Sequence, residues 1–167
     1  EKGSDVTITP AVADGWTLVR RDNQSTVHGM ATYYKVAGGA EPSSYSFGFS
    51  QSVKWAIGIS RISGAVAATP VSVGATGTSG NPVAPTVTTT VNNSLVMAFF
   101  TNKKNTNYTH PGSTTERYDA PNSADVSNLL ATYVKTPAGS TGSRTATPGE
   151  TAAWCAQQLA IAPATKQ

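Results

Sequence analysis

The segment Ala31-Thr32-Tyr33-Tyr34-Lys35-Val36 returns as Ala131-Thr132-Tyr133-Val134-Lys135-Thr136, and its surroundings return in the same order. Gly15-Trp16-Thr17-Leu18-Val19-Arg20 and Asp22 precede the first copy, and Gly112, Thr114-Thr115-Glu116-Arg117 and Asp119 precede the second. Thr9-Pro10 is answered by His110-Pro111, and residues 55–59, opening on Trp55, by residues 154–159, opening on Trp154. A spacing of about a hundred residues far exceeds the roughly 20 to 50 of stacked repeats, so two equivalent half-domains are implied rather than an array. The expectation is one domain over residues 1–167, with half-repeats at approximately 1–73 and 86–167.

Charged residues are 13% of the chain and aromatics 8%, and the polar complement is mainly Thr, Ser and Asn. Those residues suit strands and turns better than exposed helices. β-Branched and aromatic runs recur between Gly, Pro, Asn and Asp clusters. They predict strands at residues 6–9, 16–21, 30–36, 44–49, 53–62, 71–73, 86–91, 94–101, 107–109, 115–118, 129–135, 144–147 and 152–161. Residues 74–85, 120–125 and 137–142 read as turns. Tyr45, Phe47 and Phe49 fall on one face of their strand, as do Trp55, Ile57 and Ile59 of theirs. Residues 94–101 are apolar on both faces, which marks a central strand covered on each side. The Asn92-Asn93 turn is expected to join 86–91 to it as a hairpin. The fold class expected is all-β: an antiparallel β-sandwich, jelly-roll-like, built from two degenerate half-repeats.

Comparison of the flanks sharpens this. Residues 94–101 directly precede the Tyr108-Thr109-His110-Pro111 unit, whereas the corresponding Val6-Thr7-Ile8-Thr9-Pro10 unit starts a few residues after Glu1. The first half is short of an apolar strand. An unfilled position exposes backbone edge and core, which folded proteins cover. Val6, Thr7, Ile8 and Thr9 are therefore the expected assembly edge, completed by further chain or by a strand from a neighbouring subunit.

Gly15-Trp16-Thr17-Leu18-Val19-Arg20-Arg21, Ala31-Thr32-Tyr33-Tyr34-Lys35-Val36-Ala37 and Glu41-Pro42-Ser43-Ser44-Tyr45-Ser46-Phe47 together resemble the GWTLV, YYKVA, EPxxYxF β-sandwich domains of bacterial secreted or surface proteins and phage virion proteins. Residues 85–90, 115–119 and 158–161 fit the same pattern. The resemblance implies a β-sandwich on an extracellular or virion surface; it brings no catalytic residues with it.

Catalytic sets are thin. The two histidines, His28 and His110, sit at strand or turn edges, and neither a Gly-x-Ser-x-Gly elbow, a phosphate loop nor a His-Glu-x-x-His is present. Cys155 lies in an apolar run and reads as a buried, inert thiol, and a lone cysteine excludes an intrachain disulfide. Asp119 and Asp125, with intervening carbonyls, offer oxygens to calcium, although Asp-initiated turns are the ordinary explanation. No cofactor or resident metal is expected. The net charge of +3 is scattered, with Arg20-Arg21 and Lys103-Lys104 as doublets, which argues against nucleic acid; no apolar run reaches membrane-spanning length. Trp16, Trp55 and Trp154 are expected in the core. Tyr34, Tyr108 and Tyr118 are the expected outward rings, a surface on which a glycan would stack. These readings converge on a non-catalytic structural domain: a virion component such as a decoration or tail protein, or a secreted bacterial filament or adhesion subunit, forming a homo-oligomer or larger assembly. A carbohydrate-binding module is the alternative.

Overall fold

A strand that is apolar on both faces has to be covered on both, and Ser94–Asn102 organises the molecule around that need. The computed structural model describes residues 1–3, 6–122 and 125–164. Their regular structure is antiparallel β apart from one 3₁₀ turn, Val12–Asp14. The first half holds β1 (Ile8–Pro10), β2 (Thr17–Gln24), β3 (His28–Tyr34) and β4 (Phe47–Phe49). There follow β5 (Val71–Gly77), β6 (Val83–Ala84), β7 (Thr88–Thr89), β8 (Ser94–Asn102), β9 (Tyr108–Thr109), β10 (Thr115–Asn122) and β11 (Val126–Lys135). The chain then forms β12 (Gly139–Ser140), β13 (Arg144–Thr145), β14 (Thr147–Pro148) and β15 (Trp154–Ile161).

The main sheet runs β10-β11-β8-β15-β5, with β8 at its centre as its two apolar faces require. Val96, Ala98 and Phe100 of β8 point one way, joining Leu129, Trp154 and Ala156 against Ala84, Tyr108 and Ala146 from the short pairs β6–β13 and β9–β14 and their connections. Met97, Leu95 and Phe99 point the other way, with Leu130, Leu159 and Tyr118, against Val19 of the hairpin β2–β3. The sheet is thus the middle of a sandwich. Phe100, Leu129 and Leu130 are fully buried, each contributing about 1.5–3 kcal/mol by removal from water.

The seam between hairpin and sheet is not wholly apolar, as two layers closing over a shared interior would suggest. Thr32 Oγ1 donates to Gln157 Oε1 at 2.7 Å, and Gln157 Nε2 donates to Asp22 Oδ2 at 2.8 Å. Asp22 also receives Arg20 through both oxygens, at 2.7 and 2.8 Å. A buried polar group is tolerated when it is bonded, and this set is. The network fits only because position 74 is glycine: a Cβ there would lie 2.2 Å from the Asp22 carboxylate.

The duplication is visible as duplicated pairing. Both Ala-Thr-Tyr segments lie in strands, β3 and β11, each paired with the strand before it. Each hairpin carries a bulge beside the repeated arginine, between Leu18 and Arg20 and between Glu116 and Tyr118. Likewise β1 pairs with β4 (Ile8 opposite Phe49) as β9 pairs with β14 (Tyr108 opposite Pro148).

Several expectations are corrected. Residues 53–62 are not a strand; only Lys54 makes a β-bridge, to Lys2. Their counterpart β15 is held between β8 and β5, whereas among the described residues no strand pairs with residues 56–62. Residues 74–77 and 120–122 extend strands rather than turn, because each has a partner to pair with. β7 pairs with β12, not with β8, so Asn92-Asn93 joins two layers. β5, which the half-repeat boundary cuts, adds to the second half's sheet. Asp119 lies in a strand, not a turn.

Candidate functional site

Alternation along β3 sets the site. Thr32 faces Gln157 of the main sheet, so Tyr33 faces the other way, where its ring lies 6.0 Å from Phe47 and its hydroxyl donates to the Ile8 carbonyl. β3 is therefore covered on both faces, by the main sheet and by β1–β4. One long edge pairs with β2. Along the other edge, beyond Glu1 and Lys2, no ladder partner exists among the described residues.

That edge opens on a cleft of about 810 Å³. Met30 to Ala37 form one wall and Trp55 to Ile62 the other; Met97, Phe99 and Leu159 of the main sheet lie beneath. Trp16, Tyr45, Phe47 and Phe49 add an aromatic cluster, with Trp16 edge-on to Tyr45 at 5.1 Å and Phe49 stacked on Trp55 at 5.8 Å. Close-packed interiors hold few voids larger than a water molecule, so a recess of this size beside an open strand is the candidate site. Trp55, Ile57 and Ile59 are 47%, 45% and 58% exposed along its wall. Gly58 lies between them, where a Cβ would stand 2.2 Å from the Tyr118 ring.

The carboxylates lining the cleft are already engaged, while Arg61, also on its wall, makes no ion pair among the described residues. Glu1 pairs with Arg21. Glu41 accepts from Lys35 at 2.6 Å, from the Tyr45 hydroxyl and from the Gly38 amide; these bonds, Lys35 first, hold its carboxyl down at about 2. Burial drives His28 down to about 3, with neighbouring positive charge assisting, and its Nε2 lies 2.8 Å from Thr101 Oγ1. Because the Thr101 hydroxyl itself donates to the Cys155 carbonyl, the histidine is the donor of that pair and is neutral. Burial likewise raises the Cys155 thiol to about 12. Among the described residues no group of three or more His, Cys, Asp and Glu is placed to hold a metal ion. Asp125 binds Lys2 at 2.8 Å and Lys54 at 3.1 Å, while Asp119 accepts the Tyr108 amide at 2.7 Å. The two carboxylates that were candidates for calcium thus serve separate structural bonds; part of the loop between them, residues 123 and 124, lies outside the described residues.

The three tyrosines do not form one surface. Tyr108 is 8% exposed within the core on one side of the main sheet, where Ser127 Oγ donates to its hydroxyl. Tyr118 is packed on the other side, and burial raises both phenols. Tyr34 and Tyr118 both line the cleft, and the Tyr34 hydroxyl lies 2.9 Å from Thr69 Oγ1. Strand parity does not say which face is inside when both faces are covered. Of the tryptophans, Trp154 is core as expected, Trp16 is half-buried and Trp55 is exposed.

The expected edge is covered on one side. Val6 is 1% exposed, Ile8–Pro10 pair with Phe47–Phe49, and the Thr7 carbonyl accepts the Ser50 amide at 3.0 Å. Thr9 stands opposite Gly48. β4 covers one edge of β1, and among the described residues the other edge of β1 and the edge of β3 beyond Lys2 have no ladder partner. The sequence signal was there: 55–62 matched β15, whose main neighbour β8 had no counterpart. Among the described residues no helix is long and apolar enough to cross a membrane. The Arg20-Arg21 doublet is held by Asp22 and Glu1, and Lys104 lies 3.6 Å from Glu150. Comparison with known proteins finds no matching family model, no similar curated protein and no similar solved structure.

Proposed function

We propose that this chain is a non-catalytic structural domain that works by assembly on an extracellular surface. The candidates are a virion component, such as a decoration or tail protein, and a secreted bacterial filament or adhesion subunit. One observation carries the reading: the large cleft is walled largely by apolar side chains and an open strand edge, and the carboxylates that line it, Glu1 and Glu41, are tied into ion pairs. Such a recess suits extended polypeptide, whose backbone satisfies the open edge while alternate side chains fill the walls. Acid–base chemistry instead needs groups left free to exchange protons. The low charge content and the Thr- and Ser-rich surface support an extracellular or virion location. Light scattering with electron microscopy tests it: defined oligomers or filaments are expected, and a monomer at every concentration would overturn it.

A carbohydrate-binding module is the second reading, favoured by the exposed Trp55 ring and by Tyr34 at the cleft. Retention on an insoluble polysaccharide column, with a shift in tryptophan emission, is its signature; elution in the void removes it.

A further inference from the structure

The register at the closed end of the cleft specifies what fills the rest. Lys2 forms antiparallel bridges to His28 on one side and to Lys54 on the other. In the second half, Asn102, the last residue of β8, stands opposite Ser127 of β11 and Trp154 of β15. By the repeat, 28 matches 127 or 128 and 54 or 55 matches 154, so Lys2 occupies the place of Asn102. Glu1 takes the next rung: the Gly29 amide donates to its carbonyl at 3.1 Å, and its own nitrogen donates to the Gly29 carbonyl at 2.7 Å. From Asn102, β8 runs back to Ser94 along residues 127–135 of β11. The same path from Lys2 leads through the cleft, along β3 and its continuation to Val36.

We propose that the cleft is completed by an extended strand entering in line with Glu1, about seven residues long. It lies antiparallel to β3 on one side and to residues 55–62 on the other. This rests on the reading of the cleft as a site for extended polypeptide, and it names the occupant. Because one face of the incoming strand meets Met97 and Phe99 and the other meets Phe47 and Phe49, it is apolar at successive positions, as residues 95–100 (Leu-Val-Met-Ala-Phe-Phe) are. A strand donated by another copy would have to stop head-on against Glu1, which already fills the adjoining rung. The same geometry explains why residues 55–62 are not a strand: their partner is the incoming segment.

The test is this chain with Ser-Leu-Val-Met-Ala-Phe-Phe, the sequence of residues 94–100, placed directly ahead of Glu1. A control extension carries Ser in place of Leu, Met and both Phe. The apolar extension is expected to slow amide exchange in residues 30–36 and 55–62 at least tenfold and to shield Trp55 from acrylamide, and the control to do neither. In a second measurement the peptide Ser-Leu-Val-Met-Ala-Phe-Phe-Lys-Lys, added free, binds the unextended chain and not the extended one. Unchanged exchange in the extended chain, or continued capture of the peptide by it, overturns the proposal. Protection of β3 that arises only on self-association, with a β3 cross-link between copies, also overturns it while leaving the assembly reading standing. Protection in an extended chain that stays monomeric has the reverse effect, upholding the strand and removing assembly.

Discussion

The two halves contain the same hairpin in opposite circumstances. β10–β11 continues through β8 into β15 and β5, and its inner strand is buried for seven consecutive residues, 126–132. β2–β3 stops at two strands, and β3 grades from buried to half-exposed towards the cleft. The local sequences are similar enough to give the same pairing and bulge, so the difference comes from the neighbour. A strand is half of an interaction, and the same apolar alternation gives a ladder where a partner exists and exposed coil where it does not.

Repeat-equivalent tryptophans test this most severely. Trp154 is 8% exposed and its Nε1 donates to the Ser79 carbonyl at 3.0 Å, whereas Trp55 is 47% exposed. Trp154→Ala is expected to cost about 3–5 kcal/mol in denaturant unfolding. Trp55→Ala is expected to cost about 1 kcal/mol. Equal losses would mean that residues 55–62 are packed as firmly as β15, and the contrast between halves would be lost.

Acid sharpens the comparison next. His28 sits where the second half has Ser127 and Asn128, so only the first half places a titratable ring in this seam. Its folded value, about 3, lies below the ordinary value near 6.5, so below pH 6.5 the unfolded chain binds a proton that the folded chain refuses. Stability is therefore complete above about 6.5 and falls as pH drops towards 3, by at most about 1.4 kcal/mol per pH unit. Hydrogen exchange along that ramp is expected to open β2–β3 before the five-stranded sheet, and His28→Asn to flatten the slope. Simultaneous opening of both would show that the seam is no weaker than the sheet.

Much of this arrangement was legible in the sequence, and the limits have physical reasons. The doubled Ala-Thr-Tyr hairpin and the central position of residues 94–101 follow from patterns internal to the chain. Which edges of the first half are covered did not: the pairing of β1 with β4 is a contact across some forty residues that no local pattern encodes. Tyr108 was misjudged as outward because a sheet covered on both faces has no outside, and alternation then sorts residues without ranking them. Gln157 gave no signal; a glutamine in an apolar run reads as solvent-facing until Asp22 and Thr32 are brought to it.

The repeated aspartates give a smaller effect. Asp22, 11% exposed at its side chain, binds Arg20 and Gln157, whose bond lifts the Arg20 guanidinium further above its ordinary value. Asp119 receives the Tyr108 amide. Asp22→Ala strands a guanidinium and a buried amide and is expected to cost about 2–3 kcal/mol; Asp119→Ala is expected to cost about 1 kcal/mol. Urea midpoints of the two variants decide it, and reversal of the order would show that the seam network contributes less than the strand contact.

Glu41 and Lys35 repeat the chemistry of Asp22 and Arg20 at the solvent-exposed mouth of the cleft, and the smallest effect is expected there. Water and salt already screen such a pair, so its removal releases little that solvent does not replace. Glu41→Gln is expected to leave the thermal midpoint unmoved at neutral pH, in low salt and high. It also separates two origins of acid sensitivity. Glu41, held at about 2 when folded and near 4.5 when unfolded, adds to the loss of stability only below about pH 4.5, so the Gln variant is expected to keep the loss between pH 6.5 and 4.5 that His28 causes. If Glu41→Gln flattened that loss as His28→Asn does, the acid response would belong to the mouth of the cleft, and the polar seam would not be the weaker boundary between the halves.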